Sequence, residues 1–337
     1  MFMTIRNLKL IIPDLAETLP NDVNLPSLQY LLNRSISTPI THKEALICQW
    51  FNISDFEFPV AAIIGLGDHL PTQTNYWLRA DPVQLQADLS TAYLLGNQHL
   101  NLQADEMKIL VNSINKLIAS DDLQLFAPHP TRWYLLSKQP LQIKTCNLQQ
   151  AMNKDIANYL PQGERQAYWR RLFTEIQMLL HASPINQKRQ AHGLPTINAV
   201  WFWGAGQLPS FKPGAWQTIW CYDDPLLKGL SQLINCSAKP LSDNFSQILQ
   251  RMETAGDYLL QLSAQSFESN WEKLEFNWLK PIWQALRHKN LSQIDFYIGT
   301  MNVFTITAKR SQYFWKKRYP LINYLDYEKK NNSPPTA

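Results

Sequence analysis

Over roughly the last 140 residues, apolar β-prone runs alternate with amphipathic helical runs, and this alternation constrains the fold more than any other feature. "INAVWFW" reads as a strand, "WQTIW" as another, and "DDPLLKGLSQLI" as a helix. "GDYLLQLSA" then reads as a strand, "SNWEKLEFNWLKPIWQALRH" as one helix and "QIDFYIGT" as a strand. Asp224 is a good N-cap for its helix, and Pro225 suits the first helical position. Two strands joined through a helix need a crossover, and a crossover makes them parallel neighbours. The run therefore predicts an α/β fold with a mostly parallel sheet.

The N-terminal part supplies further elements. Leu8–Ile12 reads as a buried strand stopped by Pro13-Asp14, and "LPSLQYLLNRS" and "KEALICQWF" read as helices. "PVAAIIGLGDHLP" reads as a strand or tight helix running into a glycine-rich turn. "NYWLRADPVQLQADLSTAYLL" is strand-like, with Pro82 expected at an edge or bulge. "TRWYLLSK" is another strand. In "QADEMKILVNSINKLIAS" the residues Met107, Leu110, Val111, Ile114 and Leu117 share a helix face. "ERQAYWRRLFTEIQMLLH" carries the stripe Trp169, Leu172, Phe173, Ile176, Leu179 and Leu180, beside an Arg171–Glu175 pair.

A chain of 337 residues can bury two cores. The 12 tryptophans suit either an aromatic-rich core or a stacking groove, and core is the commoner use. The net charge of +4 is too small to point to nucleic acid on its own. No apolar run is long enough to span a membrane, and the opening run, broken by Pro13, does not read as a signal peptide. Four scattered cysteines (Cys48, Cys146, Cys221, Cys236) without CxxC spacing suit reduced thiols in a cytoplasm.

No P-loop, GxGxxG, GxSxG or HExxH is present, and no two of the seven histidines lie at metal-ligand spacing. Gly204-Ala205-Gly206 is a GxG fragment that serves either a plain turn or a phosphate cradle. Asp14 follows the first strand and Asp223-Asp224 follows another, where α/β sheets place their chemistry. These carboxylates suit metal binding, or else capping and favourable charge at a helix N-terminus. Ser54-Asp55 reads as a nucleophile and its neighbour, or as a turn. "AKRSQYFWKKRYP" interleaves cations with aromatics, which suits single-stranded nucleic acid or a packed amphipathic segment.

Three blocks, taken together and in order, carry a resemblance. They are "LKLIIPDLAE" with "LPSLQYLLNRS", then "NYWLRADPVQLQADLSTAYLLGNQHLNLQADEMKILVNSINKLI", then "LLHASPINQKRQAHGLPTINAVWFWGAGQLPSF". They resemble archaeal-type cofactor-independent phosphoglycerate mutases of the alkaline phosphatase superfamily. The third block is most similar to a divergent branch, the RpfE-type regulatory proteins. The resemblance implies an alkaline-phosphatase-like fold: a mostly parallel central sheet, helices on both faces and an inserted α+β subdomain. The core would comprise residues 1–70 and 195–325, the insertion 71–194, and residues 326–337 would form a disordered tail.

The resemblance also implies site residues. The family's two metals and transiently phosphorylated serine would map to Asp14 as a metal ligand and Ser54 as nucleophile, with Asp55, Gly65 and Asp68 retained. Asp223 is a further candidate ligand. Asn186, Arg189, Asn198, Gly204 and Gly206 match the family's ligand-binding block, where Arg189 would grip an anion or, with Asn186 and Asn198, order loops. The family's metal-binding histidines do not carry over, because "GDYLLQLSAQSFESNWEKLE" and "IDFYIGTMNVFTITAKRSQYF" hold none. The expectation is therefore a non-catalytic regulatory or binding protein without a cofactor, whose partner is a small phosphorylated ligand or a protein. The alternative is a working mutase or phosphatase with a rearranged site on Asp14, Ser54, Asp223 and Asp224 and two divalent metals, manganese or zinc. The third reading is a nucleic-acid-binding regulator.

Overall fold

The structure, a computed structural model, describes residues 5–53, 59–88, 91–210, 214–313 and 319–324. Its strands are β1 (Arg6–Ile11), β2 (Ile36–Pro39), β3 (Tyr76–Ala87), β4 (Ala92–Gly96), β5 (Leu123–His129), β6 (Arg132–Ser137), β7 (Ala199–Gly206), β8 (Trp216–Trp220), β9 (Ser237–Lys239), β10 (Gly256–Gln261), β11 (Gln293–Tyr297) and β12 (Asn302–Thr307). The chain divides into two compact units, Met1–Asn52 with Phe211–Ala337, and Ile53–Ser210.

The first unit is built on a mixed sheet in the order β2-β12-β11-β1-β10-β8-β9. The interior is parallel: β1 pairs with β10 and β11, and β8 pairs with β10 and β9. At one edge β12 and β2 run antiparallel. The edge strands β2 and β9, and β12 next to β2, were not expected from the sequence.

Period-two alternation sorts the side chains of this sheet. Leu8 and Leu10 of β1, with Tyr258 and Leu260 of β10, join a buried cluster on one face. The helices Pro26–Arg34 and Phe245–Gln250 and the segment Leu274–Arg287 cover it with Leu28, Leu31, Leu32, Phe245, Ile248, Trp278 and Ile282. Sealing each such large side chain contributes roughly 1.5–3 kcal/mol. Lys9 lies between Leu8 and Leu10 and points the other way, its Nζ 5.7 Å from the Trp50 ring. This places the helix Lys43–Trp50 on the opposite face.

The helix expected as one piece over 269–288 forms three: α over Trp271–Lys273, π over Leu274–Leu279 and α over Lys280–Arg287. Pro281 has no N–H to give the carbonyl of Asn277, and the wider π turn stands where that bond is lost.

The second unit holds an antiparallel sheet in the order β4-β3-β6-β5, with β7 paired to β3. β3 is interior rather than an edge. Pro82 is tolerated because β6 pairing ends at Arg79 and β4 pairing begins at Gln84, leaving Pro82 between them on that side. The helices Ala104–Leu117 and Gln166–His181 form where the apolar stripes place them. Trp77, Trp133, Trp169 and Trp201 are sealed in this unit, and Trp220 and Trp278 in the other, so much of the tryptophan content is core.

The unit boundaries fall at 52/53 and 210/211, where the sequence reading placed them at 70/71 and 194/195. The reason is β7: it pairs along β3 and packs against the helix Val60–Gly67, so both belong with the second unit. Residues 326–337 lie outside the described residues.

Candidate active site

In the first unit, parallel pairing brings the carboxyl ends of β1, β8 and β10 to one edge of the sheet. Asp14 follows β1, Asp223 and Asp224 follow β8, and Gln261 ends β10. Asp224 caps the helix Pro225–Leu233: its Oδ1 accepts from the N–H groups of Leu226 at 2.9 Å and Leu227 at 3.1 Å. Its Oδ2 accepts from Gln261 Nε2 at 2.8 Å. Asp223 is exposed and ion-paired to Lys228. Asp14 is exposed at the head of the short helix Leu15–Thr18, with no side-chain cap.

Lys43, at the start of the helix Lys43–Trp50, joins this edge. Burial acts to lower its ammonium pKa, but the charges of Asp224, Glu44 and Asp14 outweigh it and hold the value above the ordinary 10.5. Glu44 is also buried, which acts to raise its pKa. The hydrogen bond from His42 and the charge of Lys43 reverse the shift and bring it to about 2. His42 Nδ1 lies 3.2 Å from Glu44 Oε2, and Lys43 Nζ lies 3.9 Å from Glu44 Oε1. The sequence reading did not single out His42, Lys43, Glu44 or Gln261. The signal available was "THKEA", a charged triplet at the head of a helix whose remaining residues are mostly apolar.

The donor set does not fit the two divalent metals that the family resemblance implies. Asp224 Oδ1 is taken by two backbone donors and its Oδ2 by Gln261, so one lone pair at most is left for a metal, Asp223 is paired to Lys228, and a divalent ion beside Asp14 would meet the field of Lys43. Among the described residues, no three His, Cys, Asp or Glu side chains gather as metal ligands. Ser54 and Asp55 lie outside the described residues. Thiol nucleophiles are not prepared either, since burial pushes Cys146, Cys221 and Cys236 up to about 11.

The other candidates lie in the second unit. Asn186 Nδ2 donates to the carbonyls of Leu180 and Ile197 at 2.7 Å each, and its Oδ1 accepts from Ile197 N at 2.9 Å. Asn198 clips the backbone of Leu85 in both directions, at 2.7 and 2.8 Å. Arg189 is 2% exposed, so its guanidinium meets protein rather than solvent. It donates to Pro195 O at 2.8 Å, to Glu106 Oε2 at 2.7 Å and to the Leu100 carbonyl.

Gly204-Ala205-Gly206 is not a turn after the strand but the end of β7 itself. Gly204 has φ 68°, and the β3–β7 register shifts beside it, so it forms a bulge. A Cβ on Gly204 would lie 2.5 Å from Val60 Cγ2, and one on Gly206 2.5 Å from Pro59 Cβ. The glycines let a helix start approach the strand.

Beside them lies a buried polar network. Arg79 Nη2 pairs with Asp81 Oδ1 at 2.5 Å, and Asp81 Oδ2 accepts from Trp203 Nε1 at 2.8 Å. Arg132 and Tyr134 donate to Asp68, Arg132 through two bonds of 2.9 and 3.0 Å and Tyr134 at 2.6 Å. Burial acts to raise the Asp68 carboxyl, but these bonds and the charges of Arg132 and Arg79 hold it below its usual value.

No family model matches the chain. It shares weak sequence similarity with archaeal 2,3-bisphosphoglycerate-independent phosphoglycerate mutases. The match to the protein of Methanosarcina barkeri is 26% identical over 115 residues, covering 34% of this chain and 29% of that protein. The match to the protein of Methanosarcina mazei is 24% identical over 143 residues, covering 40% and 35%. The matched stretches thus span about a third of the length of those relatives. Among solved structures, a cofactor-independent phosphoglycerate mutase from Thermoplasma acidophilum aligns with TM-score 0.41 and 12% identity, covering 89% of each chain. A protein from Pyrococcus horikoshii aligns with TM-score 0.46 and 13% identity, covering 90% of this chain and 88% of that one.

Proposed function

We propose that this chain is a non-catalytic binding or regulatory protein built on a phosphoglycerate mutase-like, alkaline-phosphatase-type scaffold. The observation that carries the reading is the carboxyl edge of the sheet, where Asp224 caps a helix and takes Gln261, Asp223 pairs with Lys228, and the Lys43 ammonium, 3.9 Å from Glu44 Oε1, sits in the field of Asp14, Glu44 and Asp224. A lysine supplies there the positive charge that two metals supply in the enzymes. One ammonium among three carboxylates leaves the surroundings negative, which disfavours a phosphoryl group. The ion pair of Asp223 with Lys228 and the capping bonds of Asp224 support this reading. The resemblance to RpfE-type regulatory proteins supports the same reading.

The rival reading, a mutase with a rearranged site, is favoured by Asp14, an exposed carboxylate following β1. The test is conversion of 3-phosphoglycerate to 2-phosphoglycerate with manganese or zinc supplied. No turnover above buffer is expected. Turnover that disappears in Ser54→Ala would establish the rival.

A further inference from the structure

A recess of about 990 Å³ opens in the first unit between the helix Pro26–Arg34 and the segment 269–283. It is separate from the carboxylates around Lys43: none of Asp14, Lys43, Asp223 or Asp224 lines it. Its walls include Tyr30, Trp271, Phe276 and Trp283, and the Tyr30 and Trp283 rings meet at 5.0 Å. The volume is that of a small-molecule site, and aromatic walls with few polar groups are the usual make-up of one.

The polar groups narrow the ligand. Glu275 is 5% exposed, and its two oxygens share the Ser27 N–H at 3.1 and 3.3 Å, with the Ser27 side chain as a second donor. Its two oxygens carry four lone pairs, so the carboxylate retains capacity for a further donor. Glu275 and Phe276 both belong to the π turn, a feature that recurs at functional sites. Glu272 and Glu275 are balanced by Arg34 and Lys280 among the lining residues, so the recess has no net preference for an anion or a cation.

We propose that this recess binds a planar, uncharged heteroaromatic molecule, of the purine nucleoside class, stacked on an aromatic wall with its amino edge on Glu275. Such a ligand matches a flat aromatic face and a carboxylate acceptor with one molecule. It gives a binding protein an effector site, and it stands whether or not the carboxyl edge of the sheet is catalytic.

The experiment is calorimetric titration of the whole protein with adenosine and with guanosine, paralleled by tryptophan fluorescence. One of the two should bind saturably at one site per chain and quench fluorescence. Phe276→Ala removes a side chain that is 59% exposed and leaves the core intact, and it should weaken binding about tenfold or more. Glu275→Gln should weaken it similarly, with unfolding midpoints checked for both variants. The proposal is overturned if neither nucleoside binds at millimolar concentration, or if both variants bind as well as the parent. Saturable binding of tetramethylammonium with neither nucleoside bound would make the recess a cation cage and overturn it equally.

Discussion

Gly204 and Val60 are so close that a Cβ on the glycine would lie 2.5 Å from the valine Cγ2. The Ala61 backbone nitrogen, at 3.2 Å, closes off part of the space that a rotation of Val60 would open. Gly193 has the same φ of 68° and nothing within 4 Å of its would-be Cβ. The pair separates backbone strain from crowding. Gly193→Ala should cost about 1–2 kcal/mol, the left-handed penalty alone. Gly204→Ala should cost about 2–5 kcal/mol, because overpacking adds to that penalty. Urea unfolding of the two variants checks this, and equal losses would contradict it.

Asp81 is 1% exposed and balances Arg79, which is 4% exposed, so neither charge has water to fall back on. Asp81→Ala should destabilise the protein by about 3–5 kcal/mol by stranding the guanidinium. Trp203→Phe removes the indole donor to Asp81 and should cost about 1–3 kcal/mol. Denaturant midpoints for both variants give the comparison.

Arg189 tests whether its block orders loops or grips an anion. Arg189→Lys keeps the charge but cannot span Pro195, Glu106 and Leu100, so a loss of about 1–3 kcal/mol is expected. Inorganic phosphate at tens of millimolar should leave the thermal midpoint of the parent no higher than chloride of equal ionic strength does. A phosphate-specific rise that vanishes in the variant would restore the anion role.

The His42–Lys43–Glu44 group predicts a pH signature. The folded pKa of Glu44, about 2, lies below its ordinary 4.5. Its contribution to stability is therefore complete above about pH 4.5 and is lost as pH falls toward about 2. Lys43 has the opposite sign: its raised pKa gives stability that is complete below 10.5 and is lost as pH rises from 10.5 through the raised value. Between pH 5.5 and 3, Glu44→Gln should lose less stability than the parent, by a margin of at most roughly 3 kcal/mol. Urea midpoints at the two pH values measure that margin.

The interior of the parallel sheet was legible because β1, β8, β10 and β11 carry large apolar residues between turn signals and a following helix announces itself, as at Asp224-Pro225. β2 and β9 escaped notice because "ISTP" and "SAK" are exposed edge strands with no apolar run, and β12 because "NVFTIT" carries a mixed pattern. "AVWFWGAG" was legible as a strand, but a strand buried on both faces carries no record of which sheet it joins. Its glycines read as a turn because close approach to Val60 is a tertiary fact. Asp224 as a cap could be read locally, since Leu226 and Leu227 follow it directly. Lys43 could not, because Asp14 and Asp224 reach it only through parallel pairing of strands far apart in sequence.

The central claim is that Lys43, rather than metal ions, supplies the positive charge at the carboxyl edge of the sheet. The most direct measurement is manganese titration of the purified, chelator-treated protein by calorimetry, with 3-phosphoglycerate turnover followed on the same samples. The account predicts no binding tighter than the millimolar range and no turnover. Tight binding of two manganese ions per chain, with mutase turnover that depends on them, would contradict it.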